Sequence, residues 1–483
     1  MTAVVDPGTT PRLVVAAPAT GQGKTTVATG LMAALAAAGH EVSGHKVGPD
    51  YIDPGYHALA CGRPGRNLDP HLVGEERVVP LLRHGARGAD VSVVEGVMGL
   101  YDGRVGGRGF ASTAHVAALT RTPVVLVVDI SRSSRSIGAV VHGMATWDAD
   151  VEVAGVILNQ AGSRRHADEV ASSIDLPVLG VLPRDDRIAT PSRHLGLVTA
   201  AERDESAAVV ARLAELLTEH VDLAAVLDLA RSAPALKAAP WDPTAALHPG
   251  DATSAESAPT RLTGAEFTPT RHGGEPSWRR LGNVGRPVVA VAGGRAFTFR
   301  YAETAELLEA AGCEVRSFDP AQDASLPPGT AGLYLGGGFP EVHAADLSAN
   351  AALREEIRDA VGDGLPTVAE CAGLLYLCRT LDGQPMAGIL DADAAMSDGL
   401  TLRYPVATAP VDTLLTRAGE QVTGHEFHRT TVTPTTGSTP AWTIEEKDMG
   451  FSGSTLHASY LHTHWAGHPQ LARRFAEAVH ARG

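Results

Sequence analysis

From Arg12 to about Ala230, short runs of β-branched and other apolar residues alternate with Ala-rich stretches. The runs RLVVAA (12–17), VSVVE (91–95), PVVLVVD (123–129), VEVAGVILN (151–159) and PVLGVL (177–182) are apolar throughout instead of alternating with polar positions. They therefore predict strands covered on both faces, as in a parallel sheet with helical crossovers. This half reads as a doubly wound α/β domain. Between about Ser232 and Pro287 the pattern stops. Pro, Ala, Ser, Thr and Gly dominate there, and the segment reads mostly as a linker or long excursion. From Pro287 a second α/β alternation begins: PVVAVAGG, a helix from about Tyr301 to Ala311, GLYLGGG, a helix near Ala351 to Ala360, then PTVAECAGLLYL. The expected organisation is an α/β domain over 1–231, a linker over 232–286 and a second α/β domain over 287–483.

The chain has 483 residues, 44% of them apolar and 20% charged, with a formal net charge of −15. Such a chain is globular and holds two or three domains. Its acidic balance supplies no broad positive field for nucleic acid or an anionic membrane, although a local basic pocket remains allowed. The four cysteines, Cys61, Cys313, Cys371 and Cys378, form no CxxC pair, which suits a reducing cytoplasm. The N-terminal stretch lacks a basic n-region, and no run reaches the roughly 18 to 20 apolar residues that span a bilayer. A soluble cytoplasmic protein without membrane partners is expected.

Residues 18–26, PATGQGKTT, follow the first strand and open an Ala-rich helix. Gly23-Lys24-Thr25 ends a Walker-type loop whose first glycine is replaced by Pro18. Backbone N–H groups of such a loop cradle phosphates, the lysine reaches the β/γ oxygens and the threonine hydroxyl holds Mg²⁺. Thr20, Gly21, Gln22, Gly23, Lys24, Thr25 and Thr26 are the candidate ATP contacts. A Mg-nucleotide site needs further carboxylates at strand ends. Glu95 ends VSVVE, Asp102 lies in the following GVMGLYDG, and Asp50 and Asp53 lie in KVGPDYIDPGYH with Lys46 just before. Singly, each acid is a turn residue or a helix cap. Together they fall where open α/β sheets bind ligands. Arg63, Arg66, Arg104, Arg108, Arg132 and Arg135 gather on loops of the same half; arginines beside a phosphate site suit a substrate with several carboxylates.

In the second half, Cys371 stands where the strand of PTVAECAGLLYL runs directly into a helix, an elbow that exposes a nucleophile near a helix N-terminus. A lone cysteine is more often a core residue, but two companions reverse that reading. Gly336, Gly337 and Gly338 in LYLGGGFPE form a Gly-rich loop after a strand, with backbone N–H groups suited to an oxyanion hole or to glutamine. His457, His462, His464 and His468 in HASYLHTHWAGH offer a base, and His462 is the choice. A thiol–imidazole pair accounts for Cys371 without a metal.

Across both domains the chain resembles the hydrogenobyrinic acid and cobyrinic acid a,c-diamide synthases. PATGQGKTT, KVGPDYIDPGYH, EGVMGLYDG, LPRDDRIATPSRHLGL, LYLGGGFPE, AECAGLLYL and ASYLHTHW carry the resemblance. It implies an N-terminal P-loop domain of dethiobiotin-synthetase type and a C-terminal class I glutamine amidotransferase-like α/β domain. It further implies ATP as co-substrate, L-glutamine as amide donor, Mg²⁺, and a corrinoid small-molecule substrate amidated on its a and c acetates through acyl phosphates. Cys371 would be the glutaminase nucleophile and His462 its base. Thr25, Asp50 and Glu95 would hold the metal, while Lys46, Asp50, Tyr51, Ile52, Asp53 and Asp102 would contact the substrate carboxylate. Ordinary class I amidotransferases follow the histidine with H-x-E, whereas here the third position is His464, which leaves open what orients His462. GHEFHRTT (424–431) resembles a family signature with a structural or domain-contacting role. Related tetrapyrrole amidases, cobyric acid synthase and nickel-sirohydrochlorin a,c-diamide synthase, are the nearest alternatives, followed by a regulatory P-loop ATPase with a non-catalytic amidotransferase module. A homodimer is compatible with the resemblance. The Ala/Gly/Arg-rich composition inclines the substrate towards metal-free hydrogenobyrinate.

Overall fold

Each apolar run of the first half forms a strand because its residues have no polar face to present to water. In the computed structural model, which describes residues 10–184, 203–248 and 285–483, seven strands build one sheet. They are β1 (Arg12–Ala16), β2 (Val42–Val47), β3 (Arg66–Leu68), β4 (Val91–Glu95), β5 (Val124–Asp129), β6 (Val153–Ala161) and β7 (Val178–Pro183). The order is β3-β2-β4-β1-β5-β6-β7, and every pairing is parallel. Every residue of β1, β2 and β4 is buried, as helices on both faces require. Helices α1 (Lys24–Ala37) and α2 (Ile52–Cys61) leave the sheet after β1 and β2. The loops after β1, β2 and β4 thus converge at the carboxyl edge of adjacent strands.

The segment expected as a linker from 232 is folded at its start. A helix over Pro243–Leu247 follows the chain out of the first domain. Leu236, Trp241 and Leu247 are buried, and the Trp241 backbone N–H donates to the Pro80 carbonyl at 2.8 Å. Three apolar anchors five or six residues apart match neither a helix nor a strand period, so the pattern alone conceals them. Residues 249–284 and the 185–197 part of LPRDDRIATPSRHLGL lie outside the described residues.

The second domain opens with β8 (Val288–Ala292), β9 (Glu314–Phe318), β10 (Thr330–Leu335) and β11 (Thr367–Glu370). They join Leu456–Ser459 and the antiparallel edge Phe451–Ser452 in a six-stranded sheet. The two expected helices span Ala302–Ala310 and Ala351–Gly362. An eight-stranded sheet from residues 380–463 is added, built on the antiparallel pair Asp393–Arg403 and Gln421–Thr433. It had no clear apolar signature, since Asp393–Arg403 is largely exposed and several partners are two or three residues long. Among the described residues no helix is long and apolar enough to cross a membrane.

Candidate active site

The phosphate loop follows β1 at once. Gly23 precedes α1 with φ 94°, a left-handed backbone that favours glycine, and a Cβ there would lie 2.2 Å from Asn159 Nδ2. Asn159, near the end of β6, donates to the Gln22 carbonyl at 2.9 Å, while Gln22 Oε1 accepts from the Asp129 N–H at 2.8 Å. Thr20 and Gly21 are exposed at the tip, and Thr26 is half-buried. Lys24 donates to the carbonyls of Met98 and Ala19, which ties this loop to the one after β4. Burial, and then the like charge of Lys46, draw its pKa down to about 8 against the pull of Glu95, Asp53 and Asp102.

Behind the loop lies a buried charge cluster. Thr25 Oγ1 donates to Glu95 Oε1 at 2.6 Å and lies 3.5 Å from Asp53 Oδ2. Lys46 Nζ bridges Asp53 Oδ2 (2.6 Å) and Glu95 Oε1 (2.8 Å), and His57 Nε2 meets Glu95 Oε2 at 2.7 Å. Burial disfavours the charge on Lys46, but Asp53 and Glu95 outweigh it and raise its pKa. Burial likewise opposes ionisation of Glu95, and Lys46 with His57 reverses the balance downward. Burial, and then the charge of Glu95, push the Asp53 carboxyl well above the usual range against the pull of Lys46. Two carboxylates against one lysine, with a hydroxyl among them, form an all-oxygen donor set that fits a hard cation such as Mg²⁺.

Several expected contacts are placed otherwise. Asp50 Oδ1 accepts the backbone N–H groups of Ile52 (2.8 Å) and Asp53 (3.1 Å), so it fastens the first turn of α2 while Asp53 takes the position beside Thr25. The Lys46 ammonium is fully engaged by Asp53, Glu95 and the Gly96 carbonyl (3.1 Å), which leaves it no donor for a substrate carboxylate. Ile52 packs against the core cluster of α1. Asp102 is exposed, and its Oδ2 accepts the Gly99 N–H at 2.9 Å. Tyr51 points away from this cluster into the second domain, where its hydroxyl lies 2.8 Å from His425 Nε2. Of the loop arginines, Arg66 is buried against Glu303 and Glu306 of the second domain, and Arg63 serves the Gly85 and Arg87 carbonyls. Arg104, Arg108, Arg132 and Arg135 are exposed.

In the second domain Cys371 follows β11 and precedes the helix Ala372–Leu377 with φ 50° and ψ −97°, a strained backbone for a residue with a Cβ. Its N–H donates to the Ser459 carbonyl at 2.8 Å. The thiol is buried, and burial, followed by the charge of Glu341, pushes its pKa well up. Burial holds His462 down to about 3. A thiol and an imidazole that are both held neutral suit proton removal during attack, not a standing ion pair. The turn Gly336–Gly337 touches the elements that carry both: the Gly373 N–H donates to the Gly336 carbonyl at 3.0 Å, and a Cβ on Gly337 would lie 2.3 Å from His462 Cε1. Among the described residues no hydrogen bond joins Cys371 Sγ to an imidazole. Gly337 exchanges both backbone bonds with Phe299 (3.0 and 3.1 Å), so its N–H is not free for an oxyanion. Gly336 and Gly338 are required by close approach, since a Cβ would lie 2.6 Å from the Phe299 carbonyl and 2.0 Å from that of Ala296, respectively.

Sequence reasoning passed over Glu370, although it stands in the AECAG motif. It accepts from the Thr463 N–H (3.2 Å), the Thr463 hydroxyl (2.7 Å) and the Tyr334 hydroxyl (2.9 Å), and so fastens the His462 strand to the nucleophile strand. Burial pushes its carboxyl up to about 7. Asn159 and His57 were also missed; each is a single polar residue whose partner lies far along the chain.

Two family descriptions match the chain: a CobQ/CobB/MinD/ParA nucleotide binding domain over residues 13–198 and a CobB/CobQ-like glutamine amidotransferase domain over residues 288–470. The chain is 58% identical to the hydrogenobyrinate a,c-diamide synthase of Thermobifida fusca, with 97% of each chain covered. It is 55% identical to the enzyme of that name from Streptomyces coelicolor, again over 97% of each. To the cobyrinate a,c-diamide synthase of a Synechococcus species it is 39% identical, over 96% of this chain and 98% of the other.

Proposed function

The chain belongs to the family of hydrogenobyrinate and cobyrinate a,c-diamide synthases, and from that premise we propose how its two domains divide the work of an ATP- and glutamine-dependent ligase. The first domain activates a corrinoid carboxylate, which ammonia does not convert to an amide unaided because hydroxide is a poor leaving group. The carboxylate oxygen attacks the γ-phosphorus of ATP, ADP departs, and an acyl phosphate forms. The backbone of 20–26 holds the phosphates and Lys24 offsets charge on the transferring group. Thr25, Asp53 and Glu95 would hold Mg²⁺, with Asp53 in place of Asp50, and the ion supplies charge neutralisation at the phosphates.

The second domain supplies ammonia. Cys371 Sγ attacks the side-chain carbonyl of glutamine while its proton passes to His462 and on to the leaving nitrogen; ammonia departs, and water later cleaves the thioester to glutamate. Ammonia then displaces phosphate from the acyl phosphate, giving the amide. The observation that carries this reading is the contact between the start of α2 and the strands that carry His425 and His462. Tyr51, one residue from Asp50, reaches His425, which is paired with His462 across neighbouring strands. Ammonia released at Cys371 is expected to cross to the first domain near this contact. The identities of 48 to 58% with relatives named for hydrogenobyrinate, against 38 to 41% for those named for cobyrinate, favour the metal-free corrin. The use of ATP and glutamine accords with a cytoplasmic reaction.

Cys371→Ala separates the two half-reactions. With hydrogenobyrinate and ATP, the variant is expected to form no diamide from glutamine and normal diamide from ammonium salts, read by product mass spectrometry. Loss of both together would sink the two-site scheme.

A further inference from the structure

In an ordinary triad a carboxylate fixes the catalytic histidine through its second nitrogen. Here His464 occupies that place in the sequence, and it turns elsewhere. Its ring lies against Tyr301 with centroids 4.0 Å apart, and its Nε2 is 3.7 Å from Glu303. His462 Nδ1 is buried and has no hydrogen-bond partner among the described residues. What confines His462 is a set of rings. His425 stacks on it at 4.7 Å with an interplanar angle of 6°, and Tyr51 packs at 5.2 Å and 39°. Gly337 closes a third side, since even a Cβ there would collide with the imidazole.

These contacts form a closed circuit. The Tyr51 hydroxyl pairs with His425 Nε2 at 2.8 Å, and the Tyr51 ring stacks on Phe299 at 4.9 Å and 13°. Phe299 in turn exchanges both backbone hydrogen bonds with Gly337. Four members belong to the second domain. Tyr51 alone comes from the first, at the start of α2 and two residues before Asp53. Offset stacking holds a ring in plane while leaving its edge nitrogens free, so such a clamp can set the orientation of an imidazole without a carboxylate.

We propose that Tyr51 is a positioning residue for the glutaminase: its ring and its hydroxyl, acting through Phe299 and His425, hold His462 in the orientation that a triad carboxylate supplies elsewhere. The glutaminase site is then complete only when the first domain is docked on the second. This inference rests on the reading of His462 as the base for Cys371.

The test uses the full chain and follows release of glutamate from glutamine alone, across pH. Tyr51→Ala is expected to lower kcat by about 10²-fold, the scale of a misplaced catalytic group, with KM for glutamine little changed and the shape of the pH profile altered. Tyr51→Phe retains the stacking and is expected to recover most of that loss, the remainder being due to the lost hydroxyl contact with His425. His462→Ala tests the premise separately. If it leaves glutamine hydrolysis intact, the reading of His462 fails. If it abolishes hydrolysis while Tyr51→Ala and Tyr51→Phe both keep the wild-type kcat and pH profile, the positioning role of Tyr51 is overturned. A Tyr51→Ala loss seen in KM with kcat unchanged also overturns it.

Discussion

One carbon atom at Gly337 decides whether His462 can occupy its place. Gly337→Ala puts a Cβ 2.3 Å from His462 Cε1, far inside contact distance, and Glu370 holds the adjacent Thr463 by backbone and side chain, so the strand cannot yield freely. The imidazole must move. Glutamine-dependent amidation is expected to fall about 10²-fold, as a misplaced catalytic group does, while ammonia-dependent amidation persists; steady-state rates with each nitrogen donor check this. At this scale the sequence was most legible where chemistry and backbone coincide. Gly23-Lys24-Thr25 and Cys371 stand in motifs whose turn geometry and reactive group are inseparable. The choice between Asp50 and Asp53 was not legible, because both lie in one PDYID run within a turn of each other and only the path of α2 decides which reaches Thr25. The contact of Tyr51 with the second domain was not legible for another reason: its partner His425 is 374 residues away.

Parallel strands buried on both faces carry a strong apolar signal, which is why all the runs read from the first half are strands of one sheet. The half-exposed antiparallel sheet of 380–463 carries almost none, since its stability comes from pairing partners that no local period encodes. Arg66 belongs to the same class of hidden feature. It sits on the edge strand β3, and the loop-arginine pattern suggested a substrate contact. Instead it crosses to the helix Ala302–Ala310, 2.6 Å from Glu303 and 2.5 Å from Glu306. Glu303 is 1% exposed. Removing the arginine would leave it as an uncompensated buried carboxylate, at a cost of about 3–5 kcal/mol. Arg66→Met is therefore expected to lower the melting temperature markedly, and a second change, Glu303→Gln, to restore much of it; differential scanning calorimetry of the single and double variants measures the coupling.

For the whole molecule, a net charge of −15 means that the two domains meet against general repulsion, and beside apolar and ring contacts such as Tyr51 on Phe299, charged and polar pairs join them. Arg66 and His84 of the first domain share Glu306, Tyr404 of the second donates to Asp69 of the first at 2.7 Å, and Trp241 lies edge-on to His84 at 5.0 Å. Burial opposes the charge on Glu306, but hydrogen bonds from His84 and Arg66 outweigh it and draw the carboxyl down to about 2. A carboxyl depressed in the folded state stabilises it above its ordinary value near 4.5, and that contribution disappears as pH falls from about 4.5 towards 2. Acid should consequently loosen the docking of the domains within that window. Trp241, buried edge-on to the His84 that pairs with Glu306, reports the event: its emission, isolated by difference against Trp241→Phe, is expected to change as pH falls through this range. Glu306→Gln should remove the pH dependence of that change, because the glutamine has no proton to gain. An unaltered transition in the variant would assign the acid sensitivity to other carboxylates and leave Glu306 as a partner that Arg66 could lose without separating the domains.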